Sequence, residues 1–285
     1  MTLLNVLVLA FVQGICELLP VSSSAHVIMA EKLMGLDPTS PEMTLLLVML
    51  HTGTMFAVIV YFWRTWRSTY FASAQALRTN GLHLVVATAL TGIVGLTLLQ
   101  AIKHLYAANN PAFEIEHLFG NPQIMAAGLA VTGLLILYSA FGSSRKRDGG
   151  GPLTVRRAGV VGAVQGICLP FRGLSRSGAT ISTGLALGVA RARAEAFSFA
   201  LAVVLTPAVI VKEGYRFLKT SLASAGGGAD ANVLHLLVPS LLGMAMSFVS
   251  GLLALRWLSS WLAHERWYLF GIYCLLASMV VLFVG

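Results

Sequence analysis

Among the eleven acidic residues of the chain, ten fall in polar stretches or near the ends of apolar ones. Glu17 is the exception, set in an apolar run and followed by Leu18 and Leu19. A carboxylate at such a place is costly to bury and is first of all a candidate for function. Gln13 precedes it by one helical turn, on the same face. Together they offer oxygen ligands to a hard cation such as Mg²⁺. The structural alternative is a protonated or hydrogen-bonded Glu17 that only holds the fold. Directly after come Pro20, Val21, Ser22, Ser23, Ser24, Ala25 and His26. Serines before a helix are ordinary N-caps. At a helix start inside a membrane, the same hydroxyls and free N–H groups also suit an anion. His26, three residues after Ser23, can serve as base, acid or nucleophile. The opposite charge stands far along the chain, in Ser175-Arg176-Ser177-Gly178-Ala179-Thr180. A buried arginine needs an anionic partner, and phosphate matches its fork. Gly173 and Gly178 permit close backbone approach. Ser175, Ser177 and Thr180 add hydroxyls for an oxyanion cradle. Here the alternative is an internal Arg176–Glu17 ion pair. Arg172 is a second cation for the phosphate, or a side chain reaching a membrane surface. His51, beside Thr52 and Thr54, is a weaker candidate to line the same cavity, whereas His104 and His117 read as solvated. A carboxylate, a histidine, hydroxyls and arginines at membrane depth suit metal-assisted phosphoryl chemistry on an amphiphile, or the binding of a translocated anion.

The elements that must hold these residues are membrane elements. Of 285 residues, 57% are apolar and 11% charged, against about 45–50% and about 25% in soluble domains. So few charges cannot cover a water-soluble fold of this size, and so much hydrophobicity excludes disorder. The net charge of +8 resides mostly in short loops. It carries topology information and does not form a nucleic-acid face. Cys16, Cys168 and Cys274 are scattered in apolar stretches and read as packing residues with no disulfide framework. Met1 to Val12 lacks a basic n-region, so the first segment reads as mature structure.

A span needs about 20 mostly apolar residues. Six stretches qualify: 43–62, 82–102, 123–141, 196–215, 233–256 and 267–284. Two others are apolar but broken by polar turns, 3–36 and 158–190. Their halves are too short to cross a core about 30 Å thick. They read as re-entrant hairpins, with kinked full spans as the alternative. Threading the chain with both termini outside puts 12 Lys and Arg in inside loops and 5 in outside ones, as the positive-inside rule requires. Each half then holds a hairpin and three spans, so the second half is inverted relative to the first. Gln13-Gly14-Ile15-Cys16 recurs as Gln165-Gly166-Ile167-Cys168, each before its polar turn. The expectation is an all-α polytopic membrane protein of six full transmembrane helices and two re-entrant helical hairpins. These form two inverted-topology repeats, 1–150 and 151–285, within one membrane domain. Gly142 to Pro152 is the linker, and Gly226-Gly227-Gly228 marks an outer loop.

These motifs resemble those of the undecaprenyl pyrophosphate phosphatase family, of the bacitracin-resistance type. Gln13 to Glu17 is similar to its E/Q-x-x-x-E motif, Pro20 to His26 to its P-V-S-S-[ST]-[GA]-H motif, and Gly173 to Thr180 to its P-G-x-S-R-S-G-x-T motif. Ile181 to Gly188 and Phe197 to Ala202 also look like the family, and the likeness covers nearly the whole chain. Gln13 stands at the first acidic position, which leaves Glu17 as the main ligand or base. Arg172 replaces the proline of the last motif, and Ala25 a more usual glycine. The resemblance implies removal of the terminal phosphate from a C55 polyprenyl diphosphate, giving the monophosphate carrier lipid used in cell-wall synthesis. It further implies dependence on Mg²⁺ or Ca²⁺, interlocked repeats, a homodimer in the bacterial cytoplasmic membrane, and a site open to the extracytoplasmic side. The site it implies is Glu17, Ser23, His26, Ser175, Arg176, Ser177 and Thr180, with Ser22, Ser24, Arg172, Gly173 and Gly178 as further substrate-binding candidates. By that likeness Glu17, with Gln13, would hold the metal. One mechanism has Ser23 attack with His26 as base and then acid. In others His26 or a water attacks. The rival reading is a polyprenyl-phosphate or other anion transporter, which uses Arg176 and Glu17 but has no need of Ser23 paired with His26.

Overall fold

A computed structural model describes residues 1–37, 40–107, 121–142, 150–224 and 229–284. His117, most of the linker with Arg145, Lys146 and Arg147, and the outer loop at 226–228 lie outside the described residues, as do the side chains of Lys212, Arg216 and Lys219.

Ten helices occur among the described residues: α1 (Leu3–Leu18), α2 (Ser23–Leu33), α3 (Pro41–Tyr70), α4 (Ala74–Ala107), α5 (Pro122–Gly142), α6 (Val155–Cys168), α7 (Arg176–Ala186), α8 (Arg191–Ser224), α9 (Ala229–Ala263) and α10 (Tyr268–Val284). Polar residues set several starts. Thr2, Ser40, Thr154 and Ser175 each accept a first-turn N–H through the side chain, as N-caps do. Segments within α3, α4, α5 and α9 are long and apolar enough to cross a membrane. Among the described residues the regular structure is helical apart from one isolated bridge between Gly151 and Val189, and the chain is a multi-pass membrane protein. The expected inside loop at 63–81 is much shorter than the apolar windows imply. α3 runs on to Tyr70 and α4 starts at Ala74. Helical hydrogen bonding continues past the ends of the apolar windows, and Arg64, Arg67 and Arg78 are exposed on those helix ends.

The broken regions form short helices of 16, 11, 14 and 11 residues, α1, α2, α6 and α7. Their lengths, about 16–24 Å at 1.5 Å per residue, fall short of a bilayer core. α2 ends at Gly35 (φ 64°), where Leu36 N donates to Glu31 O at 3.0 Å. α7 ends the same way at Gly188 (φ 76°), where Val189 N donates to Gly184 O at 2.9 Å. Only a residue without Cβ takes this left-handed closing turn at no cost.

The two halves interlock. α4 packs along α6, and α9 packs along α1, so each broken pair is clasped by a long helix of the other half. The clasps are chemically alike. Thr91 Oγ1 on α4 lies 2.8 Å from both Ala87 O and Gly162 O. Ser250 Oγ on α9 lies 2.9 Å from Met246 O and 3.4 Å from Ala10 O. Gly162 and Ala10 each stand three residues before the glutamine of the repeated string. The glycine of that string has a packing reason. A Cβ on Gly14 would fall 2.7 Å from Ser247 O, and one on Gly166 would fall 2.8 Å from Thr91 O. Gln165, fully buried, spends its amide on Thr91 Oγ1 at 3.2 Å. Thr91→Val is therefore expected to lower stability by about 1 kcal/mol, the upper range for such bonds in membranes, as read from unfolding in mixed micelles.

The main core lies where α3, α8, α9 and α10 meet, around Phe62, Trp66, Phe197, Phe199, Leu255 and Phe270. Its indole N–H groups are satisfied: Trp66 donates to Ala196 O at 3.0 Å and Trp267 to Ser139 Oγ at 3.1 Å. α5 and α10 pack side by side. This scaffold fixes both polar turns from outside.

Candidate active site

α1 carries Gln13 and Glu17 on one face, and the chain then turns through Leu19 to Ser22 into α2. Ser22 makes the turn with φ 66°, a value uncommon for a residue with a Cβ. In the second pair, Gly173 (φ 94°) makes the turn into α7 and lies hard against α5, where a Cβ would fall 2.2 Å from Met125 O. Ser175 caps α7 by accepting from Gly178 N at 3.2 Å. Arg176 therefore stands at the first position of that helix.

The two turns meet directly. Arg176 Nη2 donates to Glu17 Oε1 at 2.7 Å, and Ser23 Oγ donates to Glu17 Oε2 at 2.5 Å. Gln13 Nε2 reaches the same Oε2 at 3.4 Å, and His51 Nε2 lies 4.0 Å from it. The ion-pair side chains are mostly buried, Glu17 16% and Arg176 24% exposed. Backbone contacts weld the turns further. Gly173 N donates to Ser24 Oγ at 3.4 Å, and Ser177 Oγ donates to Leu19 O at 3.3 Å. Ser24 Oγ also lies 3.3 Å from Ser22 Oγ.

The candidates thus divide. Gln13, Glu17, Ser23, Arg176 and also His51 converge on one carboxylate. Ser22, Ser24 and Gly173 join the turns beside it. Ser175, Ser177 and Thr180 are buried and bonded within the protein, Thr180 to Ser198 Oγ at 2.6 Å and Ser175 N to Thr132 Oγ1 at 2.9 Å. Gly178 is packed, with Thr132 Cγ2 2.7 Å from where a Cβ would sit. Arg172 is exposed, and its charge acts on Glu31 of α2. His104 is exposed at the far end of α4. The expected Ser23–His26 pairing is not the one formed. The Ser23 hydroxyl is oriented by Glu17, while His26 uses Nδ1 on Ser22 O at 2.8 Å and Nε2 on Tyr273 Oη at 2.7 Å. A helical histidine reaches a carbonyl one turn back with ease, which draws this ring away from Ser23. Ser198 lies within the Phe197–Ala202 stretch that looks like the family, whereas Tyr273 and Thr132 stand outside every motif quoted above and carry no signal in the sequence.

Chemically, the site presents a hydroxyl whose proton already points at a carboxylate, beside a guanidinium and the N-terminal ends of two helices. This can activate an oxygen nucleophile and hold a phosphate. Among the described residues no three His, Cys, Asp or Glu side chains gather as a metal site. Glu17 is an oxygen donor of the kind Mg²⁺ takes when phosphate and water complete its shell. Gln13 turns its Nε2 toward that carboxylate, so it lends its oxygen to an ion only with the amide flipped.

Sequence comparisons agree with the geometry. The pattern of the family described as bacitracin resistance protein BacA matches residues 6–280. A protein of Acinetobacter baylyi named undecaprenyl-diphosphatase 2 is 59% identical over 282 residues, 99% of this chain and 98% of that one. Proteins named undecaprenyl-diphosphatase from Korarchaeum cryptofilum and Acidiphilium cryptum are 31% and 32% identical, over 99% and 97% of this chain and 99% and 95% of theirs. With that coverage, and with both motif-bearing turns inside it, the chain belongs to the bacitracin resistance protein BacA family.

Proposed function

We propose that the chain is an integral membrane phosphatase that converts undecaprenyl diphosphate to undecaprenyl phosphate and inorganic phosphate. The observation that carries this reading is the hydrogen bond from Ser23 Oγ to Glu17, closed on its other side by Arg176. Near-identical length and the names of the relatives support the substrate.

In the mechanism that fits this geometry, the terminal phosphate meets Arg176 and the first N–H groups of α2 and α7. Ser23 Oγ attacks its phosphorus while the proton passes to Glu17. The bond to the bridging oxygen breaks, and the polyprenyl monophosphate leaves. Water then hydrolyses the phosphoserine and releases inorganic phosphate. Glu17 and Gln13 would hold a Mg²⁺ or Ca²⁺ ion, which when bound neutralises phosphate charge. His26, and His51 beside Glu17, remain the groups for taking the proton from the water that hydrolyses the phosphoserine. The arrangement has no counterpart need in an anion transporter, which requires no activated serine.

The proposed setting is the bacterial cytoplasmic membrane. α1–α2 and α6–α7 are read as re-entrant hairpins among six spans, in two inverted repeats, 1–150 and 151–285. The chemically matched clasps of Thr91 on Gly162 and Ser250 on Ala10 support the repeats. The positive-inside count supports extracytoplasmic termini and a site open to that side. A homodimer is the assembly implied by the family resemblance.

The test is phosphate release from undecaprenyl diphosphate by purified protein in detergent, with Mg²⁺ and with chelator, beside Ser23→Ala. Wild type is expected to release phosphate only with the metal, and Ser23→Ala to lose about three orders of magnitude. A phosphoenzyme trapped on His26, or release by Ser23→Ala at the wild-type rate, would overturn the serine mechanism.

A further inference from the structure

His26 is held at both ring nitrogens. Its Nδ1 lies 2.8 Å from Ser22 O, an acceptor only. The proton therefore sits on Nδ1, and Nε2 of the neutral ring is an acceptor. Tyr273 Oη, 2.7 Å from Nε2, donates to it. The two rings also stack, with centroids 5.7 Å apart and planes 15° from parallel. A contact between residues 247 positions apart is tertiary, not incidental to one helix.

The neighbouring residues show why Tyr273 arrives there. Cys274, fully buried, donates its thiol to Pro20 O at 3.3 Å, in the turn between α1 and α2. Two successive residues of α10 thus grip the first hairpin, one at its turn and one at its histidine. α10 is itself fixed by close packing on α5, where a Cβ on Gly271 would fall 3.0 Å from Gly133 O. Tyr273 remains 45% exposed, so its hydroxyl can swing off Nε2 without disturbing the core.

We propose that Tyr273 is a positioning residue for His26, holding Nε2 unprotonated and in a fixed orientation until the reaction takes it up. The inference rests on the phosphatase reading and names a residue of that site outside both sequence motifs. Ser22 O fixes which nitrogen bears the proton. Tyr273 fixes where the other nitrogen points. Loss of the hydroxyl leaves the ring free to turn about its side-chain bonds, which costs rate and not substrate affinity.

The experiment uses the full chain labelled with ¹⁵N-histidine, the His26 signals being assigned from His26→Gln. In wild type the expected pattern is one protonated nitrogen and one hydrogen-bonded bare nitrogen. In Tyr273→Phe, which keeps the stacked ring, the bare-nitrogen signal is expected to move downfield to the position of an unbonded one. In the phosphate-release assay the same variant is expected to lose about 10- to 100-fold in kcat with KM unchanged. An unmoved nitrogen signal overturns the proposal. So does a raised KM at constant kcat, which would make Tyr273 a substrate contact. The nitrogen signals are read without turnover. A wild type that releases no phosphate would therefore remove the phosphatase reading, while a shifted signal in Tyr273→Phe would still uphold the His26–Tyr273 bond.

Discussion

Replacing Arg176 by alanine is expected to reduce phosphate release by about 10³-fold or more, the range for an arginine that stabilises a transferring phosphoryl group. The guanidinium has two tasks here. It meets the phosphate, and it holds Glu17 Oε1 at 2.7 Å. Without it Glu17 is a mostly buried carboxylate that has lost its arginine counter-charge, so stability is expected to fall as well, by roughly 3 kcal/mol. Glu17→Gln with Arg176→Ala separates the tasks. The double variant is expected to recover much of the stability, because no uncompensated charge remains, and none of the activity. Arg176→Lys is expected to keep the fold and to restore activity only in part, since an ammonium lacks the planar fork. A double variant as unstable as Arg176→Ala would show that the ion pair does not account for the loss.

The second large effect is on stability alone. Gly162 lies against α4 so closely that a Cβ would fall 2.2 Å from Ala87 O and 2.5 Å from Ala87 Cα. Both are backbone atoms and cannot rotate away. Gly162→Ala is expected to push α4 off α6, break the Thr91–Gly162 bond, and cost about 3 kcal/mol, the upper end for overpacking. Mixed-micelle unfolding reads the loss directly. An unchanged transition would mean that the two helices separate at little cost, contrary to the clasp. Activity should fall in proportion to the folded fraction, with KM unaltered.

Much of the site is legible in the sequence because two of its strings are local. Gln13 and Glu17 are one turn apart, and Pro20 to His26 follows at once, so a polar break in an apolar run exposes them. The same holds for Gly173 to Thr180. That Glu17 and Arg176 meet is foreseeable from charge, since neither tolerates membrane depth alone. What local pattern cannot reveal is how a side chain with several possible partners chooses among them. Ser23 has both Glu17 and His26 within short sequence distance, and the helical reach of His26 back to Ser22 O decides the choice. Tyr273 is invisible for a different reason. It sits between Ile272 and Cys274 in an apolar helix, and only the packing of α10 on α5 brings it to the histidine. The fold shows the same division. Hydropathy separates the two broken stretches from the continuous helices and marks the long apolar segments within α3, α4, α5 and α9, but it misses the helix ends, because charged residues continue a helix past the apolar window. The matched closing turns at Gly35 and Gly188 are present in the sequence, yet only their positive φ values show them to be equivalent.

The interlocked halves impose a timetable on the chain as it is made. Glu17 leaves the ribosome 159 residues ahead of Arg176. At about 5–20 residues per second that delay is roughly 8–30 s. α9, which clasps α1, comes later still. During that interval the first hairpin has neither its counter-charge nor its clasp. Neither half is therefore a smaller working copy of the whole, and a break in the chain between them is tolerable only where both pieces reach the same membrane together.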